Sequence, residues 1–135
     1  MNRKFAAAIA GIGLVVVVAT PVVAHHSFAA EYDTARPIVL KGVVTRIEWT
    51  NPHAHCFVET KDDTGSVTNW KLELASPNVL VQLGWRANSL KVGDDVAIEG
   101  AMAKDGSKRA NVRVVTLPDG RRVSAGSSGG DIPSP

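Results

Sequence analysis

Pro52 constrains this chain more than any other residue. It stands in Trp49-Thr50-Asn51-Pro52-His53-Ala54-His55-Cys56-Phe57, between two runs rich in β-branched and aromatic residues. A proline has no backbone N–H to give to a sheet, so one continuous strand through this stretch is excluded. Asn51-Pro52 therefore reads as the corner between two strands. The corner also carries two of the four histidines and the only cysteine. The other two, His25 and His26, are adjacent, so every imidazole falls within residues 25–55.

Period-two patterning extends outward from the corner. The first predicted strand covers residues 38–49, with Ile38 and Leu40 on one parity and Val43, Thr45, Ile47 and Trp49 on the other; the switch places a β-bulge at Gly42. The second covers residues 53–60 and sets His53, His55, Phe57 and Glu59 on one face, Ala54, Cys56, Val58 and Thr60 on the other. A turn at Lys61-Asp62-Asp63-Thr64-Gly65 leads to a third strand, residues 67–74. There Trp70, Leu72 and Leu74 face inward, and Asn69, Lys71 and Glu73 outward. Ser76-Pro77 then starts a helix over residues 77–83, with serine as N-cap, Val79, Leu80 and Leu83 turned to the core, and Gly84 as the stop. Strands at residues 96–102 and 110–117 flank a turn at Lys104-Asp105-Gly106-Ser107, and a short extension follows at 121–123. Three strands, one short helix and two strands give an all-β class with one short helix. The element order is that of a five- to six-stranded OB-like Greek-key barrel, with a small β-sandwich or roll as the alternative.

The two ends read differently. Arg3 and Lys4, the apolar residues 6–18 and the small residues before His25 form a secretory signal that predicts cleavage after Ala24. The apolar run is shorter than the roughly 20 residues of a membrane span, and no second one follows. Residues 25–36 form an arm with a helical turn near Phe28 and Tyr32, whose rings pin it to the barrel domain of residues 37–123. The Gly-, Ser- and Pro-rich residues 124–135 are expected to be disordered. Cleavage leaves 111 of the 135 residues, enough for one small domain. It removes two of the 15 basic residues and none of the 13 acidic ones, so the net charge falls from +2 to zero. The remaining basic cluster, Lys104, Lys108, Arg109, Arg113, Arg121 and Arg122, lacks interleaved aromatics and is read as a solvated hairpin face, with no nucleic acid partner expected. The expected location is periplasmic or secreted. A lone Cys56 excludes an intramolecular disulfide.

The chain also resembles a group of small exported bacterial proteins of unknown function. The residues that carry the likeness are His25-His26-Ser27-Phe28, Glu31-Tyr32-Asp33, Gly42-Val43-Val44-Thr45, Trp49-Thr50-Asn51-Pro52-His53, Trp70, Ser76-Pro77, Gly84-Trp85, Leu90-Lys91-Val92-Gly93-Asp94 and Gly120-Arg121. The resemblance implies a periplasmic, OB-like barrel and names no catalytic residue.

Two function classes follow from the residues. In the first, His25, His26, His53 and His55 bind a metal ion, copper favoured over zinc, because imidazoles and a free N-terminal amine at His25 are suitable nitrogen donors. His53 and His55 share a strand face roughly 6 to 7 Å apart. Glu31, Asp33 and Cys56 are candidate additional ligands, although Cys56 has the opposite parity and needs a bulge near Pro52 to join them. In the second, a non-catalytic OB-type module binds a partner protein or small ligand over the face of strands two and three, with Trp49, Trp85 and the basic hairpin as contacts. The ordinary use of those tryptophans is to pack the rim of the core, and that of the histidines is to cap a turn. Ser27 has no elbow or oxyanion framework around it, the glycines are isolated, and Asp62-Asp63 and Asp94-Asp95 lie in turns, so no catalytic constellation is read.

Overall fold

The computed structural model describes residues 28–126. The corner behaves as the proline requires: Asn51 and Pro52, joined by a cis peptide, separate β1 (Tyr32–Glu48) from β2 (His55–Lys61). After them come β3 (Val67–Glu73), α1 (Pro77–Gln82), β4 (Asp95–Ala103), β5 (Arg109–Thr116) and the short β6 (Arg122–Ser124). β1 pairs antiparallel with β2 on one side and β4 on the other, β2 with β3, β4 with β5, and β5 with β6. β3 then meets β5 in parallel through Lys71↔Arg109, Leu72↔Ala110 and Glu73↔Asn111. Five strands thereby close into a ring with β6 on its flank, and α1 lies in the link between β3 and β4. The barrel-like, all-β class read from the sequence is the one found.

Alternation is what fills the ring. Cys56 and Val58 of β2 and Trp70 and Leu72 of β3 are buried, and they meet Val44, Ile98, Val112 and Val115. α1 begins as its sequence dictates: the Ser76 hydroxyl accepts from the Val79 N–H at 3.4 Å, Pro77 occupies the first turn, and Leu80 is fully buried. Val79 and Leu83 pack against the core at its side, and Gly84 takes a φ of +91° where the helix stops.

Three expectations are corrected. The parity switch in β1 does not lie at Gly42: Val43 is 39% exposed while Val44 is 1% exposed, so Ile38, Leu40 and Val44 share the inward parity. The register with β2 shifts between Val44 and Arg46 instead. Gly42 is required for another reason, since a Cβ there would meet the Glu59 carbonyl oxygen at 2.3 Å and Val58 Cγ1 at 2.7 Å. Second, the arm is part of the sheet from Tyr32 onward. A helical turn spans residues 28–31, after which Tyr32↔Ala103 and Asp33↔Met102 pair with the end of β4, and the register breaks before Pro37. Third, the first residues of the supposed tail are packed. Ala125 is buried, its N–H donates to the Arg113 carbonyl at 2.8 Å, and its own carbonyl accepts from the Ala75 N–H at 3.0 Å. The signal segment, His25, His26 and residues 127–135 lie outside the described residues. Among the described residues, no helix is long and apolar enough to cross a membrane.

Candidate functional site

Two neighbouring rungs on the outward face of β2 carry the candidate chemistry, because directly paired residues share a face and alternate residues along a strand repeat it. One rung is Glu48–His55–Glu73, and the next is Arg46–Phe57–Lys71, which continues onto Arg109 of β5. Carboxylates and imidazole therefore stand on one line across the sheet, with cations and an aromatic ring beside them.

In the first rung, Glu73 is the hub. Its Oε2 accepts from the Tyr32 hydroxyl at 2.9 Å and lies 4.0 Å from His55 Nε2, while its Oε1 lies 3.3 Å from His53 Nδ1. His55 Nδ1 is 3.9 Å from Glu48 Oε2, so this ring stands between two carboxylates without a short contact to either. Burial lowers the His55 pKa and the Lys71 charge adds to this, against the opposing pull of Glu73 and Glu48. Tyr32 is buried, and that burial together with the Glu73 carboxylate raises its phenol pKa. Glu31 and Asp105 both approach Arg109, at 3.5 and 3.0 Å. The helical turn is tied to the β4–β5 hairpin as well, with Lys104 Nζ donating to the Ala29 carbonyl.

In the second rung, an open groove of about 500 Å³ is lined by Thr45, Arg46, Phe57, Asn69, Trp70, Lys71 and Lys108. The Arg46 guanidinium lies 3.8 Å from the centre of the Phe57 ring, and Lys108 Nζ lies 5.3 Å from that of Trp70. Lys108 is held beside Lys71 because its carbonyl accepts from the Lys71 N–H at 3.0 Å.

The structure thus brings His53 and His55 to one carboxylate, as their shared face predicts. Among the described residues, it does not bring the other candidate ligands to them. Cys56 faces the core, and burial pushes its thiol up to about 12. Glu31 is engaged by Arg109, and Asp33 Oδ1 accepts from the Ala35 N–H at 3.0 Å. His25 and His26 are not among the described residues, and among those that are, no three His, Cys, Asp or Glu side chains form a group able to hold a metal ion. Trp85 is corrected from contact surface to core: it is buried, and its indole N–H donates to the Ser124 carbonyl at 2.7 Å. Trp49 packs half-buried against the same core. Asp62 and Asp94 serve their own turns, accepting from the Thr64 and Lys91 N–H groups. Sequence reasoning placed Glu73 and Lys71 outward but missed their roles; the strand register, opposite His55 and Phe57, is the signal that assigns them.

A family pattern matches residues 12–113, which is most of the chain. The protein belongs to DUF6152, a family of unknown function. No curated protein matches it. Membership agrees with the resemblance read from the sequence in one respect, that the family's function is unknown.

Proposed function

We propose that this is an exported, non-catalytic barrel of the OB type that binds a ligand on the outer face of β1, β2 and β3. The observation that supports it is the groove over the second rung, on the face where such barrels commonly bind their ligands. It differs from the expected contact surface in one respect: Phe57, Trp70 and the cations Arg46, Lys71 and Lys108 line it, and Trp49 and Trp85 do not. Export rests on the signal segment, and mass spectrometry of the secreted chain is expected to find His25 as its first residue. The binding reading is tested by titrating the isotopically labelled mature chain with neutral, anionic and cationic small molecules and following amide shifts. Shifts confined to residues 45–46, 57, 69–71 and 108 support it. Their absence with every probe class overturns it.

One contact favours a second reading, in which His25, His26, His53 and His55 hold copper or zinc. His53 Nδ1 and Glu73 Oε1 are 3.3 Å apart, close to the roughly 3.4 Å edge between two ligands of a tetrahedral ion. Tyr32 fixes the chain to that same carboxylate, and His25 lies seven residues before it, a covalent reach of about 24 Å. Calorimetric titration with Cu(II) separates the readings. Binding tighter than about 1 μM that is lost in the His53→Ala/His55→Ala double variant supports the metal site. Weaker binding, or no loss, removes it.

A further inference from the structure

The chemistry of the groove narrows its ligand. Its lining contains three cations and no carboxylate. They come from three places in the ring: Arg46 from β1, Lys71 from β3, and Lys108 from the turn that opens β5. Neighbouring strands lie about 4.8 Å apart, so Arg46 and Lys71, on either side of β2, are about 10 Å apart at the backbone, and Lys108 is about 5 Å further on. The row runs across the strands. Two of its three members are pre-positioned, Arg46 on the face of Phe57 and Lys108 on the face of Trp70. Arg46 spends one arm on Glu48 at 3.2 Å, and a guanidinium has five N–H donors to offer. Lys71 and Lys108 have no ion-pair partner among the described residues.

This arrangement selects among anions. A single carboxylate or phosphate neutralises one end of the row and leaves the other bare. Bases and sugars bind by stacking on open ring faces, and here a cation already lies over one face of each ring. A linear chain of phosphates meets all three cations at once, accepting from the ammonium point charges and from the guanidinium fork. We propose that the groove binds a soluble linear oligophosphate laid across β1, β2 and β3, an inference that rests on the reading of this face as the binding face.

The test is a calorimetric titration of the full mature chain with sodium tripolyphosphate at 50 mM and 200 mM salt, with amide shifts followed in parallel. Binding tighter than about 1 mM at 50 mM salt is expected, with shifts at the groove residues and at least a fivefold weakening at the higher salt. Lys71→Gln and Lys108→Gln should each weaken it about tenfold, while Lys61→Gln, outside the groove, leaves it unchanged. Absence of binding, or equal binding by all variants, overturns the proposal. So does tighter binding of polyglutamate, or of phosphatidylglycerol vesicles, than of tripolyphosphate. If a neutral probe shifts the groove amides and tripolyphosphate does not, the oligophosphate falls while the binding face stands. If no probe shifts them, both fall.

Discussion

Two residues on β2 carry opposite consequences of one alternation. Cys56 points into the core and His55 out of it. With burial pushing its thiol from 9.0 up to about 12, Cys56 at pH 8 has roughly a thousandfold less thiolate than an ordinary cysteine. Alkylation by iodoacetamide at that pH is therefore expected only after the chain is unfolded in guanidinium, and labelling of the folded protein at the rate of a free thiol contradicts the inward placement. His55 yields a pH dependence whose sign follows from its lowered pKa. The unfolded chain takes up a proton near pH 6.5, whereas the folded chain resists it through burial and the Lys71 charge. The stability His55 supports is thus complete above about pH 6.5 and declines as pH falls through its folded-state pKa. Urea midpoints measured from pH 8 to pH 5 should fall less steeply in His55→Gln than in the parent. In Lys71→Gln, the NMR titration of His55 should move back up toward the ordinary histidine value.

At the scale of elements, the close approach of strands is decided by glycine. A Cβ on Gly100 in β4 would sit 2.1 Å from the Asn111 carbonyl oxygen, much as one on Gly42 would meet Glu59. Backbone cannot swing away as a side-chain tip does, so Gly42→Ala and Gly100→Ala should each cost on the order of 3 kcal/mol, read from urea unfolding followed by circular dichroism. An unchanged midpoint in either variant would mean that the strands separate at no cost. These two glycines also show what the sequence made legible. β2 and β3 could be read residue by residue because each keeps one parity from end to end, and α1 because Ser76, Pro77 and Gly84 punctuate it. β1 was misread at Gly42 because glycine marks a close neighbour as readily as a bulge, and the register shift between Val44 and Arg46 carries no glycine. Residues 32–36 looked like part of an arm because the partners of Tyr32 and Asp33, Ala103 and Met102, lie more than 60 positions away, where local pattern has no reach. The site divides in the same way. The shared face of His53 and His55 follows from the period of two and their meeting with Glu73 from the β2–β3 register, but the arrival of Tyr32 at that carboxylate depends on how the ring closes. Nothing local to Tyr32 encodes that contact, which spans 41 positions.

For the whole molecule, closure is the point of least redundancy, since β3 and β5 are joined by only three parallel residue pairs. The N-terminal end of β1 lies across that seam. Tyr32 donates to Glu73 on β3, Glu31 reaches Arg109 on β5, and the Glu31 carbonyl accepts from the Lys104 N–H at 2.8 Å. Asn111, registered with Glu73, is buried on this side although its neighbours Ala110 and Val112 point into the core. The helical turn and Tyr32 thus act as a strap over the closure. Tyr32→Ala removes a buried ring as well as a hydrogen bond to a carboxylate, which should cost about 3 kcal/mol. Tyr32→Phe keeps the ring and should cost about 1.5 kcal/mol. The informative measurement is native-state amide exchange, because it separates local opening from global unfolding. If the strap secures the seam, Tyr32→Ala accelerates exchange at Lys71 and Glu73 of β3 and in the facing part of β5 more than in the β1–β2 hairpin. Leu72→Ala, which cuts into the core common to the whole ring, accelerates exchange everywhere. A uniform response to both substitutions would show that the barrel opens as one unit and that the strap contributes only its own burial.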